Sequence, residues 1–97
     1  MLVFHVIYHC GTHEKAEALY KEIRELKVDS ITRGEDGNLQ YEYFYPVDRG
    51  GDLVLLEKWE SSEKQKAHAA APHIAALQPV KAKYCESVDM EIYTDAE

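Results

Sequence analysis

The sequence predicts an α+β fold of the ferredoxin-like type, with element order β-α-β-β-α-β and the helices on one face of an antiparallel sheet. Three observations predict it. Residues 2–10 alternate in the two-residue period of a strand and give way at Gly11-Thr12 to apolar residues at helical spacing. Two further strand-like runs, Leu39 to Tyr45 and Leu53 to Trp59, are joined by a Pro/Gly-rich loop. An Ala-rich helical stretch and a last alternating run, Cys85 to Tyr93, complete the order.

In the first strand the even positions Leu2, Phe4, Val6, Tyr8 and Cys10 form a core face, while Val3, His5, Ile7 and His9 form a mixed one. Two imidazoles among aliphatic side chains fit a cleft or a partner's surface. Thr12 caps the first helix, Glu14 lies in its first turn, and Ala16, Leu19, Tyr20, Ile23 and Leu26 make its buried stripe. Val28 to Arg33 adds a short extended segment before the turn Gly34-Glu35-Asp36-Gly37-Asn38.

The second strand points Leu39, Tyr41, Tyr43 and Tyr45 at the helices, with Gln40, Glu42 and Phe44 on the other face. Pro46 to Asp52 is the hairpin loop. In the third strand Val54 and Leu56 are assigned to the helix side, and Leu55, Glu57 and Trp59 to the opposite face. Ser61 or Ser62 caps the second helix, whose stripe is Ala67, Ala70, Ala71, Ile74 and Leu77. Pro72 divides or kinks that helix and Pro79 ends it. The last strand turns Val88, Met90 and Ile92 to the core, followed by a polar tail from Thr94 to Glu97.

Ninety-seven residues make one small domain, taken as 1–97. Eighteen acidic against eleven basic residues leave a formal charge of −7, which argues against nucleic-acid and membrane-surface partners. The apolar start MLVFHVIYHC has no basic n-region or small-residue cleavage site and is too short to span a bilayer, so cytoplasmic residence is expected. Cys10 and Cys85 fall on opposite strand faces and are expected as free thiols. The uncovered sheet face, read as Val3, Ile7, Phe44, Leu55 and Trp59, carries enough apolar surface to predict a homodimer.

Glu57 and Trp59 share a face, where a Trp can stack on a planar ligand and a desolvated Glu can accept a proton. The plain structural alternative is a packed Trp with Glu57 hydrogen-bonded across an interface. His68 flanks the helical stripe as a candidate general base, against the alternative of a surface imidazole bonding a carbonyl. His68 and His73 stand five apart across Pro72, off one helical face, and His5 and His9 lie roughly 13 Å apart along a strand, so neither pair fits a metal motif. No phosphate loop, nucleophile elbow, zinc pattern or cofactor fingerprint occurs in the sequence.

Gly37-Asn38-Leu39-Gln40-Tyr41, the run Leu56-Glu57-Lys58-Trp59-Glu60-Ser61, and Ala67-His68 through Pro72-His73 resemble, in order and spacing, the antibiotic biosynthesis monooxygenase (ABM) domain, a dimeric α+β barrel family. The resemblance points to Glu57, Trp59, His68 and His73 as site residues. Leu55 stands where the polyketide oxygenases carry Asn, and the helix lacks the Trp of the haem-degrading branch, so the likeness is greatest to the quinol monooxygenase and autoinducer-isomerase branches, which share an AHxxxPH-like pattern. It implies a homodimer that needs no cofactor and no metal and acts on a small aromatic or polar metabolite. The expected activity is oxygenation of a small quinol or dihydroxy-aromatic, with His68 or Glu57 as base, Trp59 on the substrate, and His5, Phe44 and Leu55 lining the pocket. The alternatives are an O2-independent isomerase of a sugar-like metabolite and a non-catalytic dimeric binding module.

Overall fold

The sheet is assembled around β1, Leu2–His9, which pairs antiparallel with β3, Asp52–Trp59, on one side and with β4, Ser87–Thr94, on the other. β2, Asn38–Phe44, joins the free side of β3, so the strand order is β2-β3-β1-β4. This computed structural model describes residues 1–95. The described chain is a ferredoxin-like α+β fold with four antiparallel strands, as the sequence predicts. Ala96 and Glu97, the end of the expected polar tail, lie outside the described residues.

Between β1 and β2 run α1, His13–Glu25, and a second helix, α2, Val28–Arg33. Thr12 caps α1 by accepting the amide N–H of Lys15, and Ala16, Leu19 and Ile23 are buried on the sheet. The α2 segment was expected to be extended. Its β-branched Val28, Ile31 and Thr32 disfavour a helix only mildly, and Lys27 turns the chain through a left-handed conformation (φ 60°) so that Val28 and Thr32 can be buried.

Register fixes the faces. Opposite residues of an antiparallel pair share a face, and Phe4, Val6 and Tyr8 stand across from Glu57, Leu55 and Leu53. Tyr41 and Tyr43 on β2 stand across from Glu57 and Leu55. The core is therefore built on the even side of β1 and the odd side of β3, under α1, α2 and the later helices. This corrects the expected placement of β3: Leu55, Glu57 and Trp59 face the helices, while Val54 and Leu56 share the open face with Val3, His5, Ile7 and Phe44. Leu53 to Leu56 are apolar at both parities, so their alternation carries no sign. Leu39 is also displaced, because an irregularity between Asn38 and Gln40 breaks the alternation and leaves it exposed.

The helix after β3 is two helices: α3, Ser62–Ala69, capped by Ser61, and α4, Pro72–Tyr84. Ala71 is extended, as the residue before a proline prefers, and Pro72 opens α4 at a position where no N–H is needed. Pro79 does not end this helix. It lies on an exposed stretch, and the carbonyl it leaves free, that of Ala75, is also at the surface.

Two features close the sheet's far end. The Gly51 carbonyl accepts N–H groups from Cys10 and Gly11 at 2.8 and 3.1 Å, and a Cβ at Gly51 would stand 2.7 Å from the Gly11 carbonyl carbon. His9 is held between Asp52 (2.9 Å) and Asp89 (2.8 Å), tying β1 to both neighbours; the Asp89 hydrogen bond above all holds its pKa up. Cys10 is buried in the core, where burial pushes its thiol up to about 12, and Cys85, which precedes β4 rather than belonging to it, packs against the same core as a free thiol.

The parity of β4 is as expected, since Val88, Met90 and Ile92 stand across from Tyr8, Val6 and Phe4. Their coverage is not: they are 42 %, 53 % and 55 % exposed, because the helices do not reach over this edge strand. No helix among the described residues is long and apolar enough to cross a membrane.

Candidate active site between sheet and helices

A cavity of about 220 Å³ lies between the core face of the sheet and helices α3 and α4. Tyr8, Tyr41 and Glu57 rise into it from the strands, and Gln65, Gln78 and Lys81 meet them from the helices. Val88 and Met90, the poorly covered residues of β4, form its open side. A cavity of about 150 Å³ accepts benzene, so this one has room for a single substituted ring. A wider groove along α1 is lined by Glu17, Tyr20, Arg24 and Tyr45 among others and contains no buried carboxylate or imidazole.

Glu57 is the chemically unusual group in the cavity. It is 7 % exposed, and loss of water raises its pKa above the ordinary 4.5. The Trp59 hydrogen bond and the charges of His68 and Lys81 oppose that rise only in part, so burial decides the direction. Trp59 Nε1 donates to Glu57 Oε1 at 3.0 Å, a bond between residues two apart on one strand face. Tyr8 and Tyr41 are likewise raised by burial, and Tyr41 shares a hydrogen bond with Tyr43 at 3.1 Å.

Behind Glu57 lies a chain of buried and half-buried polar groups. The His68 ring rests on Trp59 with centroids 4.6 Å apart, and its Nε2 is 3.7 Å from Glu57 Oε1. Its Nδ1 donates to Glu35 Oε1 at 2.8 Å, and His73 Nε2 reaches the same oxygen at 2.8 Å. Thr32 Oγ1 is 3.1 Å from His73 Nε2. Among the described residues no buried side-chain nitrogen or oxygen lacks a hydrogen-bond partner.

Of the residues singled out in the sequence, Glu57, Trp59, His68 and His73 are brought together. His68 and His73 meet, ring centroids 5.7 Å apart, because the extended Ala71 turns the chain between the last turn of α3 and the first of α4. Within one unbroken helix their spacing would have set them apart. Three expectations need correction. Trp59 is fully buried behind Glu57 and cannot stack on a ligand in the cavity; Leu55 is core; and His5 and Phe44 lie on the far side of the sheet. His5 pairs there with Glu91 at 3.0 Å. Glu35 was missed. It sits in a turn that reads as solvated, and nothing in the sequence separates it from its neighbour Asp36, which pairs with Lys64 at the surface. Tyr8, Gln65, Gln78 and Lys81 were also missed, since a cavity wall drawn from three elements leaves no pattern in any one of them.

The family model for antibiotic biosynthesis monooxygenase, ABM, matches residues 3–80. The chain belongs to the ABM family. A relative from Bacillus subtilis, named "Putative monooxygenase YcnE", is 37 % identical over 60 residues, which span 62 % of this chain and 61 % of that protein. Among solved structures, "Putative antibiotic biosynthesis monooxygenase from Nitrosomonas europaea" is 22 % identical, covers all of both chains and superposes with a TM-score of 0.86. Rv0793 from Mycobacterium tuberculosis is 21 % identical over 100 % of this chain and 97 % of its own, with a TM-score of 0.81. At these identities the likeness to the solved ABM structures is one of fold.

Proposed function

We propose that this ABM protein is a cofactor-independent monooxygenase of a small quinol or other dihydroxy-aromatic, with Glu57 as the base. The observation that carries the reading is the position of Glu57: a desolvated carboxylate with a raised pKa, on the wall of a cavity sized for one ring. Glu57 takes a phenolic proton, and the resulting anion gives one electron to O2. The radical pair then recombines as a C–O bond, and Glu57 returns its proton to the resulting peroxide to make a hydroperoxide. Collapse of that hydroperoxide expels water and leaves a hydroxyquinone, so one quinol and one O2 become one hydroxyquinone and one water. The substrate is itself the reductant. Trp59 and His68 hold the Glu57 carboxylate from behind, and Lys81 offers a positive charge to the anion. The family and the names of its relatives support a monooxygenase; the choice of a quinol rests on cavity size and on the base.

Oxygen uptake measured across a panel of one-ring quinols tests this. The expected result is uptake matched one to one by hydroxyquinone and abolished without O2. Conversion that continues anaerobically would instead favour isomerisation of a polar metabolite, and a cavity that binds without turnover would favour a binding module.

We also propose that the working form is a homodimer joined through the open sheet face. Val3, Ile7, Phe44 and Leu56 lie on that face around Val54, which is already buried there, and Phe44 is 46 % exposed. Sedimentation equilibrium is expected to give a dimer that Phe44→Asp converts to monomer; a wild-type monomer would dismiss the proposal.

A further inference from the structure

The break at Ala71 brings together three side chains that no single element supplies. Glu35 comes from the turn after α2, His68 from the end of α3 and His73 from the start of α4. Their facing atoms, Glu35 Oε1, His68 Nδ1 and His73 Nε2, lie within 4.8 Å of one another, with the carboxylate oxygen 2.8 Å from each nitrogen. His68 is buried and the other two half-buried, and Glu35 does not line the cavity at Glu57.

Two imidazoles and one carboxylate are the donor set of borderline divalent ions, which fill their remaining positions with water. An ion about 2.0 to 2.2 Å from each donor needs donors roughly 3 to 3.5 Å apart. The 2.8 Å separations are those of hydrogen bonds, so binding requires the Glu35 carboxylate to draw back and the two ring nitrogens, which lie within 4.8 Å of each other, to settle at that spacing. The surroundings give a second observation. The other ring nitrogen of His68 faces Glu57 at 3.7 Å, and Glu57 is fixed in turn by the Trp59 indole at 3.0 Å. At 3.7 Å this is a charge contact rather than a hydrogen bond, but it places a carboxylate beside the far nitrogen of the imidazole, the position from which outer-shell carboxylates orient metal-binding histidines. Thr32 Oγ1, 3.1 Å from His73 Nε2, supplies a neighbouring oxygen.

We infer that Glu35, His68 and His73 form a binding site for a divalent first-row transition ion of the zinc type, set behind the wall that carries Glu57. His68 also backs Glu57, so the site shares a residue with the chemistry proposed for the cavity, but its occupancy is read by binding alone. It joins the turn after α2 to both later helices, so an ion there ties together three segments that otherwise meet only through side-chain packing and hydrogen bonds.

The test uses the full chain freed of metal with a chelator and titrated with Zn2+, and with Co2+ as a spectroscopic probe. The expected result is saturable uptake of one ion per chain, visible ligand-field absorption for Co2+, and a melting temperature raised by about 5 °C or more at saturating Zn2+. X-ray absorption on the Zn2+-loaded wild type should show two imidazoles around the ion, a readout that needs no variant. Glu35→Gln and His73→Gln should each weaken binding at least about 10-fold. His9→Gln should not, although His9 lies between two carboxylates at the surface. No saturable uptake, or a metal shell without two imidazoles, would reduce the cluster to a hydrogen-bonded network and overturn the inference. Loss of binding in His9→Gln with retention in Glu35→Gln would overturn it too.

Discussion

Glu57→Gln should cost about 10²- to 10⁴-fold in oxygen uptake and at the same time make the protein more resistant to heat at neutral pH. The amide keeps the shape of the carboxyl and still accepts the Trp59 N–H, but cannot take a proton. The stability gain follows from the sign of the pKa shift. Burial raises the folded-state pKa of Glu57 above its ordinary 4.5, so the folded protein holds this proton more tightly than the unfolded chain does. That preference stabilises fully below the unfolded value and is lost as pH rises through the folded one. Wild type therefore carries a buried charge at neutral pH that the Gln variant lacks. Melting temperatures followed from about pH 4 upward should diverge in favour of Glu57→Gln through the interval in which wild-type activity switches on. Parallel melting curves at all pH values, or undiminished uptake by the variant, would remove Glu57 from the role of base.

Trp59→Phe should lower stability by about 2 to 4 kcal/mol and move the acid limb of the activity profile to higher pH. The first effect combines lost volume at a fully buried site with loss of a hydrogen bond to a carboxylate. The second follows because the indole N–H favours the ionised form of Glu57, and without it burial goes less opposed. A ring that only filled space would change stability and leave the limb in place. In a Glu57→Gln background the Trp59→Phe cost should shrink, since the bond it breaks is then between neutral groups. An acid limb unmoved by Trp59→Phe would make Trp59 a packing residue only.

What the sequence made legible was local. The alternation in Leu2 to Cys10 gave the core face of β1 because its other face contains two histidines, and Thr12 and Ser61 marked two helix starts by cap chemistry alone. The β3 run was ambiguous because it is buried on one face and apolar on both. Alternation alone assigned Glu57 to the open side, whereas the carboxylate is buried on the helix side. The proximity of Glu57, Trp59 and His68 was anticipated, but on the wrong side of the sheet. The meeting of His68 with His73 depends on the turn at Ala71, and that of both with Glu35 on the path of α2; neither angle is written in the spacing of residues. Glu35 is distinguished from Asp36 only once the fold has set it against His68 and His73.

The pairing of β1 with both β3 and β4 bears on how the protein reaches this state. Leu2 stands opposite Thr94, and the amino group of Met1 lies 2.8 Å from Asp95, so the central strand cannot gain its second neighbour until nearly all of the described chain has been made. Closing so long a loop adds only modestly to the entropic cost, but contacts this distant in sequence slow folding. A hairpin of β2 and β3 can form early, whereas the edge that walls the cavity with Val88 and Met90 arrives last. Until then Phe4, Val6 and Tyr8 on the neighbouring strand remain open to association with other chains. Glu57 and its strand thus precede in the sequence the strand that closes the cavity beside them.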